Sequence, residues 1–187
     1  MNLQDKNLHS KNIKKQARML KSLGVQGLFI SENKKSKFLN TVNDSLLKNK
    51  DQNIKVLFVG DDISGEDSQE GVLFKNIITK GMKLSKEDVH TIDTKEMILT
   101  HKGLTKILLE GIHQLKPFVI IVMGEKISQI LLSSSNSILE LRNSFINFHG
   151  TKLMCTLGLK PLIEDGSKKK LVWEDIQKVN NEVSSEK

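Results

Sequence analysis

The stretch IKVLFVGDDISGEDSQEG, Ile54 to Gly71, decides the fold. Val56, Leu57, Phe58 and Val59 are consecutive apolar residues, rich in β-formers and too short a run for a helix, and Gly60 ends them. A continuous apolar strand is covered on both faces, which predicts a parallel sheet with helices on each side. The polar loop that follows, with Asp61, Asp62, Ser64, Gly65, Glu66 and Asp67, leaves the carboxyl end of that strand, where open α/β sheets bind their ligands.

Working outward, Phe74, Ile77, Ile78 and Met82 repeat with helical period and predict a helix from Val72 to Met82. Val89 to Thr94 reads as a second strand with Asp93 near its end. Leu104, Ile107, Leu108, Gly111, Ile112 and Leu115 give the clearest helix, which Pro117 stops. Phe118 to Met123 is a third strand, and Gly124 opens a helix through Leu132. The serine-rich Ser133 to Ser137 is a loop, Phe145 to Phe148 a short edge piece, and Lys152 to Leu157 the fourth core strand. A final helix, Leu171 to Val183, buries Val172, Ile176, Val179 and Val183, and residues 184–187 form a fraying tail.

Upstream, Ile13, Ala17, Leu20 and Leu23 mark a surface helix stopped by Gly24. An apolar piece at Gly27 to Ile30, a helix from Lys37 to Leu47 and a linker at Asp51 to Asn53 follow. The reading is a helical N-terminal extension over residues 1–53 and an α/β domain over 54–183. Alternation of strand and helix predicts a three-layer α/β/α sandwich around a four-stranded parallel sheet.

Composition narrows the function. No apolar run approaches the roughly 18 residues a spanning helix needs, and the N-terminus MNLQDKNLHSKNIKK has no apolar leader. A cytoplasmic protein with no membrane partner is expected. The one cysteine, Cys155, lies in an apolar run and reads as a buried inert thiol, so it builds no disulfide, cysteine zinc site or iron–sulfur cluster. The net charge of +7 favours polyanionic partners in general, although lysine-rich chains are also basic for solubility alone.

Four strand ends converge on one rim: Gly60-Asp61-Asp62, Asp93-Thr94, Met123-Gly124-Glu125 and Leu157-Gly158. Their carboxylates suit a water-activating base or a magnesium site, and equally suit the shaping of turns. Glycines 60, 65 and 71 match neither the Walker pattern nor GxGxxG, and the acidic loop repels phosphate, which excludes a nucleoside-triphosphate site. No GxSxG nucleophile motif is present. His90 reads as a core residue, while His149 precedes the fourth strand and belongs at the opposite end of the sheet.

The segments VLFVGDD…GED (56–67), KLSKEDVHTID (83–93), LKPFVIIVMGEKISQILL (115–132), LRN (141–143), GTKLMCTLGLKPLI (150–163) and WEDIQKV (173–179) together resemble the uracil-DNA glycosylase superfamily, above all its bacterial iron–sulfur branch. The resemblance covers Ile54 to Val179 and implies a four-stranded parallel sheet whose strand ends receive a base flipped from DNA and hydrolyse its glycosidic bond. It places Asp61 at the family's water-assisting acid, with Gly60, Asp62, Asp93, Gly124 and Gly158 around the base. Departures gather at the same place. Ile63 replaces a proline, the loop carrying the stacking ring is shortened, and Phe74 is better read as core. Asp93 replaces an asparagine that both donates and accepts, whereas a carboxylate only accepts. Gly158-Leu159 stands for the family's His-Pro, and the four cluster cysteines are missing.

The resemblance therefore implies a catalytically degenerate member without cofactor or metal, linked to DNA metabolism, whose partner is DNA or a protein. Arg142, Lys168, Lys169 and Lys170 are the residues expected to track phosphates. The alternative is an active glycosylase for uracil or another deaminated base, with Asp61 as the water-activating residue.

Overall fold

A computed structural model describes residues 54–185 apart from 64, 66 and 96–99. These residues belong to one of the two units into which the chain divides, Leu46–Lys187. The helices, apolar piece and linker expected within residues 1–53 lie outside the described residues, as do Ser64 and Glu66 of the acidic loop.

The strands are β1 (Val56–Gly60), β2 (Val89–Asp93), β3 (Val119–Met123), β4 (Ile146–Phe148) and β5 (Thr151–Thr156), in the spatial order β2-β1-β3-β5-β4. Four of them, β2, β1, β3 and β5, are parallel to one another, as the continuous apolar runs require. Every residue of β1 and β3 is buried. The sheet nevertheless departs from the four-stranded parallel expectation. The edge piece is a fifth strand, and it pairs antiparallel with β5 through Ile146–Leu153 and Phe148–Thr151. The cause is local: His149 and Gly150 both take positive φ, 49° and 88°, and such a two-residue turn folds a strand straight back on its neighbour.

Helices cover both faces. Helix α1 (Gln69–Asn76) continues into a π-helical turn, Ile77–Met82, and sets Phe74 edge-on against Phe58 with ring centroids 5.0 Å apart. Such a pair adds about 1 kcal/mol to the burial itself. Helix α2 (His101–Leu115) approaches the other face, where a side chain added at Gly111 would come within 3.2 Å of Leu57. Leu57 and Phe58 are consecutive and so point to opposite sides of the sheet. Helix α3 (Glu125–Leu132) packs on α2 and β3.

Two short helices escape the periodicity reading, α4 (Ile138–Leu141) and α5 (Leu159–Glu164). The first carries a capping box, in which Ser137 N–H donates to Glu140 Oε2 at 2.8 Å. A 3-10 turn, Gly166–Lys168, leads into α6 (Lys169–Ser185), which begins before the expected Leu171 and takes in Ser184 and Ser185 of the expected tail.

Helix α6 is fixed to β5 by a buried ion pair. Asp175, 1% exposed, accepts at Oδ2 from Arg142 Nε at 2.9 Å and from Thr156 Oγ1 at 2.7 Å. Arg142 also donates from Nη2 to the Leu171 carbonyl at 2.7 Å and to Glu174 at 3.3 Å. Burial works against its charge, but the hydrogen bonds and charges of Asp175 and Glu174 prevail and hold the guanidinium above its ordinary pKa. The expectation that Arg142 tracks phosphates is therefore corrected. At 8% exposed, its guanidinium is occupied inside the fold.

Removing one partner of this pair strands the other. Asp175→Asn is expected to cost about 3 kcal/mol in urea unfolding, and Arg142→Met with Asp175→Leu together to recover most of that loss. His90, 7% exposed in β2, has its pKa pushed down by burial. The native state then holds it neutral while the unfolded chain takes a proton near pH 6.5, so stability falls as pH drops through that value. The urea midpoint is expected to fall between pH 7.5 and 5.5, by at most about 1.4 kcal/mol per pH unit from this residue, and His90→Leu to flatten that stretch.

Candidate functional site at the strand ends

Residues Gly60, Asp93, Met123 and Thr156 occupy successive positions in one register, so the carboxyl ends of the four parallel strands form a single rim. The connection from β1 goes to β2 on one side, while β3 lies on the other. The topological switch point therefore falls between the ends of β1 and β3, where the crevice of an open α/β sheet opens.

Its floor is nearly free of side chains. A Cβ on Gly60 would lie 3.0 Å from Met123 Cβ and 3.1 Å from its carbonyl oxygen, so only glycine lets the two strands finish this close. Gly124 has φ 121°, a conformation L side chains rarely adopt, and its N–H donates to the Thr156 carbonyl at 2.9 Å. Gly158 lies beside it, with room for a Cβ only at van der Waals distance, 3.5 Å, from Gly124 Cα. The chain then turns into α5 with Leu159, 2% exposed, and Leu162, 1% exposed.

Three aspartates sit on the β1–β2 half of the rim, while Glu125, just after β3, accepts at Oε2 from the Ile138 N–H at 2.8 Å. Asp61 is exposed, and its Oδ1 accepts from Thr94 Oγ1 at 2.5 Å. Thr94 is itself 1% exposed, and its N–H donates to the Gly60 carbonyl at 2.9 Å. Asp62 takes a left-handed backbone, φ 60°, and pairs with Lys95. Asp93 Oδ1 accepts from Lys95 N–H at 3.0 Å. Lys95 is held above its ordinary pKa first by its hydrogen bond to Asp62 and then by that carboxylate's charge. Asp61 and Asp62 thus stitch the loop after β1 to the loop after β2, while Asp93 shapes its own turn. Among the described residues no group of three or more His, Cys, Asp or Glu is placed to hold a metal ion.

The lysines lie on the other half. Asp175 bonds to Thr156 at the end of β5, and Lys152 at its start pairs with Glu182, so α6 runs antiparallel to β5. Its first turn therefore reaches roughly 8 Å beyond the strand end, at 1.5 Å per residue. Lys169 and Lys170 stand there exposed, with no ion pair to any described residue, while Lys168 lies 3.7 Å from Asp165.

The structure thus brings Gly60, Asp61, Asp62, Asp93, Gly124 and Gly158 to one rim, sets Lys168, Lys169 and Lys170 at its far side, and turns Arg142 inward. His149 sits in the β4–β5 turn, at the amino end of β5. Cys155 is buried, and its thiol is pushed up first by burial, as an inert core residue requires.

Three roles escape the sequence reading, although Thr94 is named there at its strand end. Thr94 positions Asp61, Lys95 answers Asp62, and Asp175 holds α6. Only the last left a signal, a carboxylate within the apolar stripe Val172, Ile176 and Val179. A shallow depression of about 510 Å³ lies elsewhere, at Thr100, His101, Gln129, Ile130 and Ser133. His101 Nδ1 lies 3.0 Å from the Ile130 carbonyl there. No family model and no curated protein matches this chain.

Proposed function

We propose that this chain is a glycosylase-like DNA-binding domain of the uracil-DNA glycosylase type that no longer hydrolyses the glycosidic bond. The observation that carries the reading lies just beyond the end of β5. Gly158, which has no side chain, stands where the resembled family has a histidine that steadies the leaving base, and Leu159 after it is buried and carries no donor. A base expelled beside Gly124 and Gly158 would find no side chain there to take up its negative charge.

Two further features support it. Asp93 is engaged with the backbone of its own loop, and a carboxylate offers no donor to a uracil carbonyl. The charges of the rim are also divided, with Asp61, Asp62, Asp67 and Asp93 toward β1 and β2 and Lys168, Lys169 and Lys170 toward β5. Phosphates are repelled from the first half and attracted to the second, so DNA follows the edge of the rim instead of lying across its floor.

One observation favours the active alternative. Asp61 is exposed and is oriented by a buried threonine, as a water-positioning carboxylate would be. The two readings separate in a single-turnover assay with enzyme in excess, using single-stranded and duplex oligonucleotides that contain uracil, hypoxanthine or xanthine. No base release over hours is expected, and Asp61→Asn is expected to leave oligonucleotide binding equal or tighter, since it removes a negative charge. Release that vanishes in Asp61→Asn would overturn the proposal. Binding is expected to weaken steeply with salt; affinity for a partner that ignores salt would point to a protein interface instead.

A further inference from the structure

Among the described residues Trp173 is a large apolar side chain left half in solvent, 52% exposed. It is also the only tryptophan of a chain that has no tyrosine. Its position is not loose. The ring edge lies over the π-helical turn, where a Cβ on Gly81 would come 3.6 Å from Trp173 Cζ3, and Asn180 Nδ2 donates to the Gly81 carbonyl at 3.1 Å. One edge of the indole thus rests against Gly81 while much of the ring stays in water, and its N–H has no partner among the described residues.

The surroundings supply charge of one sign. Lys169 and Lys170 stand four and three residues before Trp173 in α6, which places them on the same helix face. Lys80, next to Gly81, is exposed as well, and none of the three lysines pairs with a described residue. The first turn of α6 carries no acidic residue. Glu174, the nearest carboxylate in the chain, is directed to Arg142. A part-covered aromatic surface with unpaired lysines on its own helix face, and another lysine beside the glycine it rests on, is complementary to a polyanion that carries flat, unstacked rings.

We infer that Trp173, with Lys169, Lys170 and Lys80, is a stacking platform for an unpaired base of single-stranded DNA, the lysines meeting the phosphates on either side. This rests on the DNA-binding reading and deepens it by naming the surface and the strandedness. In a duplex the base faces are covered by their neighbours, whereas a single strand offers them to an exposed indole, and such stacking tolerates any sequence.

Because Trp173 is the sole tryptophan, its emission reports on this surface alone. The full chain is titrated with an oligothymidylate of roughly 12 nucleotides, within the range such surfaces cover. Indole emission and the anisotropy of the end-labelled oligonucleotide are followed together. Saturable quenching with the same midpoint as the anisotropy is expected, with weaker binding of a duplex of equal length. Trp173→Ala is expected to weaken binding about 5- to 150-fold, the loss of one stacked base, while Trp173→Phe keeps much of the affinity and shows that the fold survives. Lys169→Gln with Lys170→Gln is expected to lower the salt slope by roughly 1.4. Binding without quenching, indifferent to Trp173→Ala, would overturn this surface and leave the DNA-binding reading standing. No binding at low salt would overturn both.

Discussion

A carboxylate with 1% of its surface in water has to be answered, and Asp175 is answered from two directions at once. Arg142 comes from the turn after α4 and Thr156 from the last residue of β5, so a single Oδ2 holds the helix, the turn and the strand in one arrangement. Replacing such a pair with well-packed apolar residues is often neutral for stability, so its value here lies in geometry. An apolar contact would let α6 slide by a fraction of a turn. The shared oxygen does not, and the level at which Lys169, Lys170 and Trp173 stand relative to the strand ends is fixed by it. The remaining oxygen, Oδ1, has no hydrogen bond, and only Lys178 comes near it, at 3.7 Å. The pair is therefore asymmetric, strong on the side toward the sheet and weak toward solvent.

The opposite half of the rim is organised by similar means but to a different end. Thr94, Lys95, Asp61, Asp62 and Asp93 form a closed set of contacts between two adjacent loops. Carboxylates at strand ends invite a catalytic reading, yet each of these has a structural partner, and the left-handed backbone at Asp62 shows how tight the turn is. The ion pair with the exposed Lys95 is screened by water and contributes little to stability. Its effect is to lower the local negative charge. The hydroxyl of Thr94 differs, because it is buried and directional, and it leaves Asp61 the one rim carboxylate oriented from inside the fold.

How much of this is legible in the sequence depends on the kind of interaction. Continuous apolar runs mark β1, β3 and β5, because a strand covered on both faces can hardly be written any other way. The strong helix at His101–Leu115 is legible for the same reason, since its apolar stripe repeats over 15 residues. The edge strand Ile146–Phe148 is only three residues long, and its antiparallel direction comes from the backbone of His149 and Gly150, which no side-chain pattern announces. Arg142 misleads for a related reason. An arginine in a polar stretch looks solvated until a carboxylate 33 residues away is found to face it, and that pairing exists only once β5 and α6 are side by side. The rim itself is legible residue by residue, but its partition into acidic and basic halves follows from strand order.

That partition bears on what the strand ends can do. Gly60 and Gly124 make a floor in which backbones approach too closely, or turn too sharply, for side chains to be added, and Gly158 beside them carries none. A floor without side chains presents flat surface and backbone polar groups, which suits a planar ligand, but proton transfer and charge stabilisation need side chains that reach the reacting atoms. Here two polar side chains near the rim are engaged within the fold, Asp93 in its own turn and Arg142 on Asp175. What stays directed to solvent is Asp61 on one half and Lys169 and Lys170 on the other. Positive charge on the first turn of α6 is what this side of the rim offers, and the buried Asp175 is the residue that keeps that turn in place.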